Sequence, residues 1–142
     1  MDWAYLFNSF DGRISRKTFW IAMAVITVAE LFAHALAQQF DGDRLSAILD
    51  LAFTYPEFAV AAKRGNDRNM SLWLLGAFFG AGALLDFLTV VGWSGTDEEP
   101  SLASLAIAIP FMLFGLALLV ELGFRKGTPG PNQYGPDPLA NS

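Results

Sequence analysis

The sequence predicts an all-α membrane protein: a bundle of four transmembrane helices preceded by a short interfacial helix. Its 142 residues are 54% hydrophobic and only 16% charged, whereas soluble domains usually carry about 25% charged residues. The apolar residues are concentrated in four long runs, as in proteins whose helices cross the hydrocarbon core of a bilayer. We therefore expect one membrane domain over residues 1–126 and a Pro/Gly-rich cytoplasmic tail over residues 127–142.

The first ten residues predict a short helix at the membrane surface. One helical face is apolar, at the spacing i, i+3, i+4 and i+7, and consists of Trp3, Leu6, Phe7 and Phe10. A segment this short cannot cross a bilayer, but aromatic amphipathic helices commonly lie in the interface. A loosely ordered terminus is the alternative.

Four apolar segments follow, over about residues 18–40, 45–62, 72–91 and 102–124. The first and third are long enough for the ~20 residues that a spanning helix needs. The second is short, and a basic loop over residues 63–71 separates it from the third. In the third, Gly76 and Gly80 allow close packing of a helix within the bundle or in a second copy.

A signal peptide is an alternative interpretation of the first apolar segment. Basic residues precede it, and Ala35-Leu36-Ala37 resembles a cleavage site. The length of the segment and the charge of Glu30 favour a retained transmembrane helix.

The distribution of Lys and Arg predicts the orientation in the membrane. With four spans, eight of the nine share one side: Arg13, Arg16, Lys17, Lys63, Arg64, Arg68, Arg125 and Lys126. Only Arg44 lies opposite, so the positive-inside rule places both termini in the cytoplasm. We expect these cations chiefly to set orientation, with anionic lipid headgroups as secondary contacts. No aromatic residues alternate with them as in a nucleic-acid surface, so we expect no nucleic-acid partner.

Four ionisable residues lie at membrane depth: Glu30, His34, Asp50 and Asp86. Such groups are costly in the bilayer unless paired or hydrated, so each is a candidate site. The helical rise places His34, Asp50 and Asp86 at a similar depth below the outer surface. A proton or cation site is one interpretation; a hydrated polar patch or a subunit contact are the others.

Two further acidic residues lie toward the cytoplasmic ends of the spans. Glu121 precedes Arg125 by one turn, the favoured order for an i,i+4 ion pair. We expect Glu57 to form an ion pair with Lys63, Arg64 or Arg68.

The sequence gives no indication of an enzyme or of a bound cofactor. Cysteine is absent and His34 is the only histidine, which excludes thiolate chemistry and a multi-histidine metal site in one chain. No phosphate-binding loop, nucleophile elbow or zinc-protease motif occurs. We therefore expect a non-catalytic protein without metal or cofactor.

Three stretches carry a resemblance to a known family. They are Phe10–Arg16 with Phe19-Trp20, Lys63–Trp73 and Gly130–Pro138. Together, and in this order, they resemble the bacterial inner-membrane family of domain of unknown function 805. Members commonly carry two arginines and a His-Asp pair in the middle stretch, where this chain has Lys63 and Asn66 in place of the first arginine and the histidine. The resemblance implies a small polytopic membrane protein and no established activity.

All three stretches fall on the predicted cytoplasmic face. Arg13 or Arg16 is placed to pair with Asp67, and the turn over residues 132–138 to pack above them. We expect a structural clasp built from Arg13, Arg16, Arg64, Asp67, Asn132 and Tyr134.

Two functional classes fit these features. One is a structural or accessory subunit that assembles with itself or with a larger membrane complex. The other is a small ion- or proton-coupled transporter or channel that uses the acidic residues in the membrane.

Overall fold

The computed structural model describes residues 2–40, 42–92 and 102–140. The helices are α1 (Trp3–Asn8), α2 (Arg16–Ala37), α3 (Gly42–Asp67), α4 (Leu72–Val90) and α5 (Leu102–Leu119). A π-helical turn, Val120–Phe124, continues α5. The described part of the chain contains no β-strand, only an isolated bridge between Asn132 and Gly135 in the tail.

The long helices have the length and composition of membrane spans. Three segments qualify fully, Arg16–Ala37, Arg44–Asp67 and Leu72–Val90, and a shorter apolar helix covers Ala108–Phe124. Their outer surfaces carry large apolar side chains such as Leu31, Phe32 and Met112, each more than half exposed. Apolar surface on this scale is unfavourable in water and favourable in lipid. The chain is therefore a small integral membrane protein.

Helix α3 is the centre of the bundle. It packs against α1, α2 and α4, while α5 contacts α4 and the π-helical turn contacts α2 and α3. The nine residues from 59 to 67 are all buried. The tightest part of the core is therefore at the end of the molecule where α3 finishes, which we call the basic end because it carries the clustered Lys and Arg side chains.

The structure corrects the interpretation of residues 63–71 as a loop, because α3 continues to Asp67. Lys and Arg are good helix formers and are favourable near a helix C-terminus, where the carbonyl dipoles point. Gly65 lies within this helix, and its lack of a side chain allows close packing, because a Cβ there would lie 2.7 Å from Leu75 Cδ1. The chain turns only at Asn69, which has a positive φ of 54°, and the Met70 N–H donates to the Gly65 carbonyl at 2.9 Å.

Helix α1 lies against α3. The Asp2 carboxylate caps it by accepting from the Tyr5 N–H at 3.1 Å. Leu6 is only 2% exposed, and Phe10, just after the helix, contacts the rings of Tyr55 and Phe58. Part of the apolar face thus packs on the bundle; its location in the membrane interface stays a prediction.

Candidate functional site

A cavity of about 280 Å³ lies among α2, α3, α4 and α5. We call it the acidic cavity because four of its lining residues are carboxylic acids: Glu30, Asp50, Glu57 and Asp86. The remaining wall is formed by Thr54, Phe78, Phe79, Gly82, Leu85 and Phe111. The site therefore combines concentrated acidic groups with largely apolar walls.

Helical periodicity explains why these acids meet. Asp50, Thr54 and Glu57 are spaced i, i+4 and i+7 and so share one face of α3. Glu30 and His34 are one turn apart on α2. The His34 Nε2 lies 2.8 Å from Asp50 Oδ1, with both side chains 38% exposed. His34 thus reaches the cavity through Asp50.

The four acids share one site. Glu30, Asp50, Glu57 and Asp86 all line the acidic cavity. Carboxylates this close together repel one another when all of them are ionised. A proton on one of them would relieve this repulsion.

The structure brings Glu30, Asp50 and Asp86 to one cavity, with His34 bound at its edge. The expected ion pair of Glu57 with the cations that follow it is wrong, because Glu57 faces the cavity and those cations bind elsewhere. The missed signal was the seven-residue spacing from Asp50, which puts both acids on one helical face once α3 is a continuous helix. Within residues 2–40, 42–92 and 102–140, no three His, Asp or Glu side chains are arranged to hold a metal ion.

A second polar cluster lies at the basic end and is centred on the Asp67 carboxylate. Arg13 donates to its Oδ1 from Nε at 3.0 Å and from Nη2 at 2.8 Å. Arg64 donates to its Oδ2. All three side chains are at most 3% exposed. We call this cluster, with the tail residues bound to it, the clasp; its charge-assisted bonds are of the strong kind.

The tail is held by the same groups. Arg13 donates to the carbonyls of Thr128 at 2.6 Å and Gly130 at 2.7 Å. Thr128 donates two hydrogen bonds to the Asp67 carbonyl, one from its N–H at 2.8 Å and one from its hydroxyl at 3.0 Å. Gly127 passes so close that a Cβ there would overlap the Asp67 carboxylate. The Arg13 side chain therefore joins Asp67 and Gly130, which are 54 and 117 residues away from it in sequence.

Neighbouring residues of α3 extend the clasp to the N-terminal segment. Asn66 donates to the carbonyls of Phe10 and Gly12, both at 3.0 Å. Lys63 is buried, donates to the Ser9 carbonyl and lies 5.1 Å from the centre of the Tyr5 ring. Lys63 and Asn66 were not among the expected clasp residues, because the loop interpretation concealed that they face the core.

The structure brings only some of the expected clasp residues together. Arg13, Arg64, Asp67 and Asn132 meet; Asn132 donates to the Asn66 carbonyl at 3.0 Å. Arg16 does not reach Asp67 and donates instead to the Phe124 carbonyl at 3.1 Å, because it begins α2 and points toward the π-helical turn. Tyr134 contributes its backbone N–H to Asn132 Oδ1 at 2.9 Å.

The π-helical turn adds an ionic link between α3 and α5. Arg125 Nη1 lies 2.9 Å from Glu121 Oε2, the spacing expected for an i,i+4 pair. Arg68 of the α3–α4 connection donates to Glu121 Oε1 at 3.0 and 2.6 Å. This second cation was not expected from the sequence.

The carboxylate of Asp137 stabilises the turn in the tail. Asp137 accepts from the N–H groups of Leu139 and Gly130, both at 2.9 Å. These bonds, together with the nearby charge of Arg13, hold the pKa of Asp137 below its ordinary 3.8.

Comparison with known proteins gives relatives without an assigned activity. The uncharacterized protein YiiR of Escherichia coli strain K12 is 32% identical over 140 aligned residues, covering 91% of this chain and 85% of YiiR. The inner membrane protein YhaH of the same strain is 25% identical and is covered to 97% in both chains. No solved structure gives a significant match. The family model described as a protein of unknown function, DUF805, matches residues 7–136, so this chain belongs to the DUF805 family.

Proposed function

We propose that this chain is a non-catalytic protein of the bacterial inner membrane that binds protons in the acidic cavity and acts as a small proton-coupled transporter or channel. The four acids that line one cavity carry the proposal, since protons bound there would relieve the repulsion among them. The location is supported by the relative named inner membrane protein YhaH.

The charge balance of the bundle supports the same conclusion. Uncompensated charge at membrane depth costs several kcal/mol. The acidic cavity has four acids and one histidine neighbour, while the buried cations Arg13, Lys63 and Arg64 are bound in the clasp. Protons would neutralise these acids, and hydration of the cavity is the alternative.

Proton flux into liposomes tests this function. The purified chain is reconstituted with a pH-sensitive dye inside, and a potassium diffusion potential supplies the driving force. We expect Glu57→Gln and Glu30→Gln to lower the flux at least about tenfold, the effect of losing about 1.4 kcal/mol of proton stabilisation. Asp11→Asn, an exposed acid at the basic end, is the matched control and should retain full flux. Equal flux through all variants and through empty liposomes would exclude the proposal.

A second candidate is a subunit that assembles with itself or a larger membrane complex. Its support is that α5 contacts the bundle along one face only. The described residues on that face are spaced i, i+3, i+4 and i+7: Phe111, Phe114, Gly115 and Leu118. The other described side chains of α5 are exposed, including Ile109, Met112 and Leu113. Native mass spectrometry after mild extraction from the membrane tests it: a defined larger complex favours this function, and a bare monomer contradicts it.

A four-span arrangement with both termini in the cytoplasm is part of the proposal. It takes α5 and the π-helical turn as one continuous fourth span. Its support is the direction of the helices. At the basic end α2 and α4 begin, and α3 and the π-helical turn end. Arg64 and Arg68 bind the turn there.

A further inference from the structure

A groove of about 440 Å³ lies beside the first turns of α2 at the basic end. Its walls come from the start of α2, the π-helical turn and the tail: Ser15, Arg16, Lys17, Trp20, Gly123, Phe124 and Leu139. We call it the interfacial groove. It combines exposed cations with exposed aromatic rings, and no carboxylic acid is among its described lining residues.

The aromatic wall of the groove is held in a defined position. Trp20 Nε1 donates to the Gly123 carbonyl at 3.0 Å, and its ring meets Phe124 edge-on at a centroid distance of 5.5 Å. A Cβ at residue 123 would lie 2.5 Å from Trp20 Cζ2, so only glycine lets the indole lie there. Tryptophan with its N–H bonded and its ring against lipid is typical of the membrane–water boundary.

The charges in the groove attract an anion. Arg16 and Lys17 occupy the first turn of α2, where the helix dipole is positive and cations are unfavourable. Arg16 uses one nitrogen for the Phe124 carbonyl, and Lys17 has no hydrogen-bond or ion-pair partner in the described structure. A phosphate group here would be stabilised by both cations and by the helix start.

We infer that the interfacial groove binds an anionic phospholipid, with its phosphate at Arg16 and Lys17 and an acyl chain along Trp20 and Phe124. The neighbouring cavity behind Arg16 is lined by Arg64 and Lys126 but also by the carboxylates of Asp67 and Asp137, whereas the described lining of the groove contains cations and no carboxylate. The headgroup therefore belongs at the groove and the chain on its aromatic side. This inference is independent of the proton-binding function.

Lipid-dependent thermal stability of the full chain tests the inference. The purified protein in neutral detergent is melted with added phosphatidylglycerol, with phosphatidylcholine or with inorganic phosphate. We expect phosphatidylglycerol to stabilise it most, and Lys17→Gln to raise the phosphatidylglycerol concentration needed for half of the shift about fivefold, as expected for one surface cation. Lys17 is chosen because its side chain makes no hydrogen bond or ion pair within the described structure.

Two comparisons make the result specific. Arg44→Gln removes a cation that begins α3 at the opposite end and should leave the lipid response unchanged, whereas Trp20→Leu should weaken the response to phosphatidylglycerol. Equal responses to phosphatidylglycerol and phosphatidylcholine would overturn the inference. So would an equal loss in Lys17→Gln and Arg44→Gln, or a full shift with inorganic phosphate alone, which would indicate a site for the free anion.

Discussion

Asp67 is the residue on which three separate parts of the chain meet. Its carboxylate binds Arg13 from the N-terminal segment and Arg64 from its own helix, while its carbonyl binds Thr128 from the tail. A buried carboxylate between two arginines is stabilising only while every partner is in place, because each remaining charge would otherwise be buried alone.

Replacing Asp67 by alanine should destabilise the protein strongly. The change leaves two buried guanidinium groups without their carboxylate, and the loss of one partner from a buried ion pair typically costs about 3–5 kcal/mol. Thermal melting in detergent measures the effect. Asp11→Ala, which removes an exposed carboxylate from the same end, should change stability by less than about 0.5 kcal/mol. Similar melting temperatures for the two variants would contradict the clasp.

Acidification should loosen the tail through Asp137. The folded chain holds the pKa of Asp137 below its ordinary 3.8, so its contribution is complete above that value and is lost as the pH falls through the lower, folded-state pKa. Amide hydrogen exchange of residues 128–138 should therefore accelerate, relative to its intrinsic rate, as the pH falls below the ordinary pKa of 3.8. Asp137→Asn should remove this pH dependence and Asp11→Asn should keep it; an unchanged profile in Asp137→Asn would show that another group holds the tail.

Particular residues also show how far sequence reasoning extends. Arg13 and Asp67 were linked because both lie in motifs that fall at the same end of the bundle. Glu57 was assigned wrongly because the nearby cations were given more weight than its seven-residue spacing from Asp50, which places both acids on one face of α3. The aromatic surroundings of the acidic cavity depend on packing between distant helices and were not predictable.

At the scale of elements, α3 organises the bundle. The fold class and the approximate location of the helices followed from hydropathy, but the extension of α3 to Asp67 did not, since basic residues are typical of loops that flank a span. These basic residues can be helical here because their side-chain N–H groups donate to backbone carbonyls of other segments. The carbonyls are those of Ser9, Ile14, Leu122 and Arg125.

Helix α5 should depend on one aromatic stack. Phe111 lies parallel to Phe78 of α4 at a centroid distance of 4.5 Å, an arrangement that contributes about 0.5–1.5 kcal/mol beyond the area it buries. Phe111→Ala should therefore lower the melting temperature and increase the reactivity of a cysteine placed at residue 82. Met112→Ala, one position along and 57% exposed, is the control. If the two variants behave alike, α5 is held only through the π-helical turn.

At the scale of the whole molecule, the arrangement of charge makes a prediction about orientation. Because the eight cations lie at one end of the bundle, a reporter fused after residue 142 or inserted in residues 69–71 should be in the cytoplasm. Green fluorescent protein at these sites should fluoresce, and alkaline phosphatase should be inactive. Alkaline phosphatase inserted near residue 96 should be active. Activity at residue 142 would mean that α5 does not cross the membrane.

The clasp also has a consequence for biosynthesis. Arg13 is synthesised early, yet its carbonyl partners at Thr128 and Gly130 emerge only after every described helix has been made. Until then Arg13 can pair with Asp67 but lacks its bonds to the tail. A chain that stops before residue 128 should therefore be inserted with an incomplete clasp, and a membrane protease should cleave it faster than the full chain.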